Sequence, residues 1–429
     1  MIRYQEDYRF LQDAERRGWQ RWKYVPLGDG GTYLSFGAQL RARTEFIVAP
    51  DLGFAGVDDQ DVLFGRALLH ADLHSPGDWG RLFVQLGSAF ALDSELPVRS
   101  IDADQLGVRQ AFGDLVVRGE DWSLCFRGGR QELTFGSSRL YGLREGPNLR
   151  LVHDGLRIRL QHDRTTADLF AVATVIHQPG VFDDLPSTRD VSWGGYTSSR
   201  LLDTRVQLDA YYLGLRRPQA RFQTAVGVEL RHSLGARLFG RVGAYDYNLE
   251  VIGQVGSFDT QRIAAWTVAS DQGGTHRWSD GSFRAGVKAD ITSGDASRGD
   301  DVLNTFNPIH PNNAYFSQLV VLTPANHIDV HPYVQLGLVD RFRMDAGVVV
   351  FWRASLQDDL YGPPVVPIVD LTGRDERFTG VQASASVTAD LTDYASLTVY
   401  GSHFAAGDVV QAAQGRSSSF LGVWFGYVL

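Results

Sequence analysis

The sequence predicts an all-β protein: a single antiparallel transmembrane β-barrel of about 18 strands, with short turns at one end and long loops at the other. Three observations predict it. Apolar and polar residues alternate with period two along most of the chain, the spacing that sends successive side chains to opposite faces of a strand. Long and short connections alternate between these stretches, as an even-stranded barrel with two unlike ends requires. No run of 18 apolar residues occurs, which excludes a spanning helix and leaves strands as the way across a membrane.

Residues 1–32 fit neither pattern. Tyr4, Tyr8, Phe10, Trp19, Trp22 and Tyr24 among many charges read as a segment docked at the periplasmic mouth, separate from a barrel over 33–429. Alternation begins at 33–47, where Leu34, Phe36, Ala38, Leu40, Ala42, Thr44 and Phe46 oppose Ser35, Gln39, Arg41, Arg43 and Glu45. In 62–74, Leu63, Ala67, Leu69, Ala71 and Leu73 oppose Arg66, His70, Asp72 and His74. The pattern predicts further strands at 79–90, 105–117, 122–131, 152–162, 166–177, 191–199, 204–215, 225–239 and 244–257. It then continues through 262–272, 281–293, 328–339, 341–354, 378–391, 394–405 and 419–429. The last strand gathers Leu421, Val423, Phe425, Tyr427 and Leu429 on one face. Long connections fall at 48–61, 91–104, 132–151, 178–190, 294–327, 355–377 and 406–418, and short ones at 75–78, 118–121, 163–165, 200–203, 240–243 and 392–393.

Composition narrows function. At 429 residues, 44% hydrophobic and 21% charged, the chain is neither disordered nor a simple coiled coil. Its one cysteine, Cys125, removes intrachain disulfides and cysteine-rich metal sites. A net charge of −9 argues against nucleic acid unless the charges are segregated. Of 41 basic residues only Lys23 and Lys288 are lysines. If the apolar face meets lipid, parity turns fifteen basic residues inward, among them Arg41, Arg43, Arg66, Arg157, Arg159, Arg231 and Arg353, against nine acids that include Glu45 and Asp72. The surplus would concentrate anions, and guanidinium forks match carboxylates. The plainer alternative is that these arginines pair with the acids and brace the wall.

Enzyme chemistry is not expected. No metalloprotease helix, phosphate-binding glycine loop or nucleophile elbow occurs, and nothing fixes a separation between Glu132 and Glu145 suited to glycoside hydrolysis. His70, Asp72 and His74 share a strand face, but a polar row in the lumen explains them as well as a metal does. The outer-loop acids Asp58, Asp59, Asp61, Asp300, Asp301, Asp358 and Asp359 are expected to be solvated; they lack a calcium-loop spacing. No cofactor and no metal are expected.

Several stretches carry a family likeness: Lys23-Tyr24-Val25-Pro26-Leu27-Gly28, Leu40-Arg41-Ala42-Arg43-Thr44-Glu45, Leu69-His70-Ala71-Asp72-Leu73, and above all Gly129-Arg130-Gln131-Glu132-Leu133-Thr134-Phe135-Gly136, continuing through Arg139-Leu140 to Arg144-Glu145-Gly146-Pro147-Asn148. Thr305-Phe306-Asn307-Pro308, Ala314-Tyr315-Phe316 and Phe351-Trp352-Arg353 follow. On these residues the chain resembles the alginate export family of outer-membrane porins. The resemblance implies a monomeric 18-stranded barrel whose electropositive, loop-restricted pore passes a polyuronate outward with the help of periplasmic secretion proteins. The alternatives are uptake of small sugar acids or other organic anions and, further off, a soluble β-rich glycosidase. The stretch from Gly129 to Asn148 is expected to fold inward and bring Arg130, Arg139 and Arg144 near Arg41, Arg43, Arg66 and Arg353. Two positions depart from the family pattern: Gln39 stands where Glu is frequent, and Leu429 ends the chain where Phe is usual.

Overall fold

The structure is a computed structural model that describes residues 3–201, 205–339 and 341–429. Eighteen strands form the wall: β1 (Tyr33–Val48), β2 (Asp59–His74), β3 (Gly80–Leu92), β4 (Asp104–Arg118), β5 (Trp122–Gln131) and β6 (His153–His162). Then come β7 (Thr165–Ile176), β8 (Leu185–Arg200), β9 (Val206–Phe222), β10 (Ala225–Val242), β11 (Tyr245–Phe258) and β12 (Gln261–Trp278). The last third is β13 (Gly281–Thr292), β14 (His327–Leu338), β15 (Phe342–Trp352), β16 (Phe378–Asp390), β17 (Ala395–Ala406) and β18 (Ser418–Val428). Each strand pairs antiparallel with the next, and β18 returns to β1 in the register Gln39↔Val428 to Val48↔Ser419, so the sheet closes.

Period two explains the closure. Leu40 and Phe46 are 47% and 42% exposed on β1, and Leu69, Leu115, Leu156, Leu169, Leu234 and Val251 continue the outward rows on other strands. In water such a belt would be a large unfavourable patch; in hydrocarbon it is the solvated surface. On the opposite face of the same strands Arg43, Glu45, Arg66 and Asp72 are buried.

Three strands run at least six residues further than alternation alone predicts, among them β12, which reaches Trp278 rather than 272. β8 starts at Leu185 rather than 191, and β9 continues to Phe222 rather than 215. Pro218 looks like a strand end, but a register shift between Arg217 and Ala220 absorbs it, and Ala220 and Phe222 resume the inward row. The outer connections after β9 and β11 are tight turns in which Gln223 and Asp259 take positive φ.

The barrel is filled by its own loops. After β5 the chain turns inward, and Leu133, Phe135, Leu140 and Tyr141 pack on Phe170, Tyr196, Tyr211 and Ile252 of β7 to β11. Gly129 precedes this departure at φ 129°, where a Cβ would sit 2.2 Å from the Ala111 carbonyl oxygen. After β13 a second segment enters and sets Phe316, Leu319, Val321 and Leu322 on Val349, Phe351, Phe404 and Phe420 of β15 to β18. The two segments bond to each other: Gly142 N donates to the His310 carbonyl (2.9 Å), His310 N to Leu140 (2.9 Å) and Asn312 N to Ser138 (3.0 Å). At the short-turn end, Tyr4 packs between Phe83 and Phe112 and donates to the Glu132 carbonyl (3.3 Å), while Trp19 meets Tyr394 and Arg9 pairs with Asp78 (2.7 Å).

Candidate functional site

The first inward segment meets the wall on guanidinium groups. Arg41 of β1 donates to the carbonyls of Glu145 (2.8 Å) and Pro147 (3.1 Å) and to Asn148 Oδ1 (3.1 Å). Arg43, one inward position further, donates to the Gly146 carbonyl and pairs with Glu45 at 2.8 Å. Arg66 of β2 donates to the Asn148 carbonyl (3.2 Å) and to Glu145 Oε2 (3.2 Å). Asn148 fixes the arrangement, its amide donating to the carbonyls of Gly65 (2.9 Å), Phe90 (3.1 Å) and Asp102 (3.0 Å).

One carboxylate sits among three of these cations. Glu145 faces Arg66 at 3.2 Å, Arg41 at 3.6 Å and Arg150 closer still, while Arg150 also pairs with Glu132 at 3.2 Å. Burial pushes the Glu145 carboxyl up, but Arg150, Arg66 and Arg41 outweigh it and hold it down at about 2. Its side chain nevertheless stays 46% exposed, so the pair faces water. Arg144 has no carboxylate within ion-pair distance among the described residues. Its Nε donates to the Pro311 carbonyl (3.2 Å), and burial and then the neighbouring Arg217 lower its guanidinium to about 10. Arg43 and Arg144 line one cavity of about 620 Å³, together with Arg99 and an apolar collar that includes Phe64, Leu149, Val320 and Phe420. Around this contact and its cavity stand six guanidiniums, of Arg41, Arg43, Arg66, Arg99, Arg144 and Arg150, against the carboxylates of Glu45, Asp51, Asp102, Glu132 and Glu145.

The inward stretch therefore sets Arg144 on the cavity that Arg43 lines, with Arg217 and Asp190 as its charged neighbours, and leaves Arg130, Arg139 and Arg353 elsewhere. Arg139 crosses to the far wall and joins Glu250 of β11 (3.1 Å), Asp290 of β13 (2.9 Å) and the Tyr315 hydroxyl (3.0 Å). Arg130 stays at the root of the segment on Asp154 (2.8 Å). Arg353 lies one residue past the end of β15, where parity no longer applies, and donates to the carbonyls of Asp358 (3.2 Å), Arg374 (2.8 Å) and Glu376 (2.9 Å). It braces an outer loop. Arg231 is enclosed by Glu229, Gln254 (2.8 Å) and the Thr305 carbonyl (3.1 Å).

Nearer the short turns, arginines pair with acids on the wall: Arg81 with Asp72, Arg127 with Asp114 (2.7 Å), and Arg157 and Arg159 both with Asp168 (2.7 and 2.9 Å). His74 bonds Asp72 (3.1 Å) and Asp78 (3.1 Å), and His70 stacks on Phe83, so this histidine row is occupied by wall contacts. Asp358 and Asp359 are buried rather than solvated. Asp358 accepts from Thr305, Tyr361 and Asp295 N, and Asp359 pairs with Arg298, because the 353–377 loop folds over them. Strand parity could not find Arg150, Asn148 or Tyr315, which stand on segments without period two; Asn148 and Tyr315 lie inside family-like stretches.

The alginate export family matches residues 32–424. No curated protein matches the sequence. In fold the chain is similar to Acinetobacter baumannii OccAB4 (TM-score 0.62, 10% identity, 92% of this chain and 98% of that one). It is also similar to Pseudomonas aeruginosa OccK2 (OpdF) in complex with glucuronate (0.61, 13%, 92% and 96%) and to Pseudomonas aeruginosa OpdK with vanillate (0.60, 12%, 92% and 98%). The family match starts one residue before β1 and ends inside β18, so the chain belongs to the alginate export family and is an outer-membrane β-barrel channel, not an enzyme.

Proposed function

We propose that the channel is anion-selective and passes uronate-type solutes past a narrow point made by the two inward segments. The supporting observation is the excess of guanidinium over carboxylate where the first segment meets β1 and β2. Arg41, Arg43 and Arg66 donate there to backbone carbonyls, which orient a guanidinium without cancelling its charge, and Glu45 and the shared Glu145 offset only part of it. A solute carboxylate entering the cavity of Arg43 and Arg144 finds forked donors beside an apolar collar suited to the carbon face of a sugar ring. Outward passage of a polyuronate agrees with the family. A second reading, diffusion of small sugar acids inward, is favoured by the backbone bonds that tie the two segments together across the lumen and by the likeness to a structure holding glucuronate.

Planar-bilayer recordings test both. Under a salt gradient the reversal potential should report anion preference; cation preference would overturn the proposal. Oligouronates that block the current of monomeric glucuronate in a length-dependent way support the polymer path. Free flux of glucuronate without blockade by longer chains supports the small-acid path.

A further inference from the structure

We propose that Asp290, His327 and Asp329 form a divalent-cation site of the zinc or manganese class, built into the inner face of the wall where β13 and β14 meet both inward segments. Asp290 and Asp329 are cross-strand partners, and His327 lies two residues from Asp329 on the same face of β14. One ligand atom from each lies within 4.8 Å of the other two. The three residues are 3%, 4% and 1% exposed in the order Asp290, His327, Asp329.

Their hydrogen bonding is incomplete. Asp290 Oδ1, Asp329 Oδ2 and His327 Nδ1 are buried with no partner. Orphaned acceptors of this kind are costly in a dry site. The charges are also short of compensation. Arg139 serves Asp290 at 2.9 Å but is shared with Glu250 at 3.1 Å, and among the described residues the side chain within ion-pair distance of Asp329 is the His327 ring, Nε2 to Oδ1 at 3.1 Å. Lys288 lies nearby on β13 with its ammonium over the rings of Tyr315 (4.8 Å) and Tyr333 (5.4 Å). Two carboxylates directly opposite each other on neighbouring strands repel, and a cation between them removes the repulsion and satisfies the free lone pairs.

Donor chemistry selects the class. An imidazole nitrogen with two carboxylate oxygens suits zinc or manganese, whereas calcium asks for six to eight oxygens. The ion would take one ring nitrogen of His327 and the free oxygens Asp290 Oδ1 and Asp329 Oδ2, while Arg139 stays on Asp290 Oδ2. Coverage is already in place: the Phe316 ring stands edge-on to His327 at 5.3 Å, and Tyr315 bonds Arg139. Occupancy therefore fastens the far ends of both inward segments to one patch of wall. This inference stands apart from the solute proposed above.

The test uses the full barrel purified in detergent and stripped with a chelator. Equilibrium dialysis against Zn²⁺ and Mn²⁺, with Ca²⁺ alongside, should show one equivalent of Zn²⁺ or Mn²⁺ per chain and weaker Ca²⁺. Asp329→Asn and His327→Gln should each weaken it by about tenfold or more, with His70→Gln unchanged. Heat-modifiable gel mobility reports that each variant is folded. If the variants fail to fold, Co²⁺ added to the parent gives visible absorption bands from a histidine-carboxylate site. No stoichiometric uptake by the parent, uptake that survives both substitutions, or an equal loss in His70→Gln would overturn the assignment.

Discussion

Arginines near the short-turn end and arginines at the inward segment share a residue type but differ in what holds them. Arg127 and Asp114 form a two-pronged pair at 2.7 Å, and Arg157 and Arg159 divide Asp168 between them. Arg284 meets Asp246 and Asp271, and Arg343 meets Asp390. In these wall pairs a carboxylate answers each cation, although Arg118 and Arg241, at the short turns themselves, donate to backbone carbonyls. Arg41, Arg43 and Arg66 instead spend most of their donors on carbonyls of residues 145–148. A carbonyl is a dipole and leaves the net charge in place, which is why the proposed anion path is drawn past Arg41, Arg43 and Arg66, whose carboxylate partners are Glu45 and the shared Glu145.

The strongest way to break this comparison is to reverse charge at Arg41 and Arg66 together. The anion-to-cation permeability ratio should fall about tenfold, equivalent to ~1.4 kcal/mol of selectivity, read from reversal potentials under a salt gradient. Arg353→Gln should leave the ratio nearly unchanged, since that side chain is tied up in an outer loop. If Arg353 moved selectivity as much as Arg41, the distinction between the two groups would be wrong.

Asp168→Asn should act in the opposite sense. It leaves Arg157 and Arg159 sharing a neutral amide, and because Arg159 is one-third exposed the cost is about 2 kcal/mol rather than the full value of a sealed pair. Urea unfolding in detergent should show the loss, with selectivity barely altered. A large change in reversal potential with unchanged stability would mean that the paired arginines also set the field.

A smaller effect is expected at the short-turn end. Tyr4 sits under Arg127 at 4.1 Å and touches the start of the inward segment. Tyr4→Ala, or removal of residues 3–24, should raise single-channel conductance by up to about twofold without inverting selectivity. An unchanged conductance would mean that the segment packs beside the path rather than across it.

The smallest expected effect is a pH response at the outer rim. Burial raises the Asp295 carboxyl to about 6, with Asp358 adding to it against the opposing bond from Asn304 N. A raised acid holds its proton more tightly when packed, so the loop tightens as pH falls through about 6 and loosens above it. Hydrogen exchange over 293–303, corrected for intrinsic rates, should be slower near pH 5 than near pH 7.5. Faster exchange at the lower pH would show that Asp295 is ionised in place.

These contrasts mark what was legible in the sequence. Period two made the wall readable: the closed barrel is stated by Leu40 against Arg41 and by Leu69 against His70, because a one-residue slip would put charge into lipid. Beyond the strands the rule is silent. Arg353 follows an inward row by count, yet β15 ends at Trp352 and the side chain turns into a loop. Pro218 hid the end of β9, since a bulge cannot be told from a strand terminus by composition. The family-like stretch from Gly129 to Asn148, at an outer strand end, was the sign that the first segment folds inward. The family-like stretches at 305–308 and 314–316 marked the second segment but not its place, which depends on Phe316 and Leu319 finding the inner face of β15 to β18, a contact between residues far apart in the chain.

The tight turns after β9 and β11 give the rim an uneven height. β10 and β12 have 18 residues, while β5 and β6 have 10. At a strand rise of about 3.3 Å and a tilt near 45°, that is roughly 42 Å against roughly 23 Å of wall. One side of the wall thus stands high on long strands, and the other is low, with the connection between β5 and β6 turned into the barrel. A solute at the outer mouth therefore meets a slanted lip, high beside β10 and β12 and low beside β5 and β6.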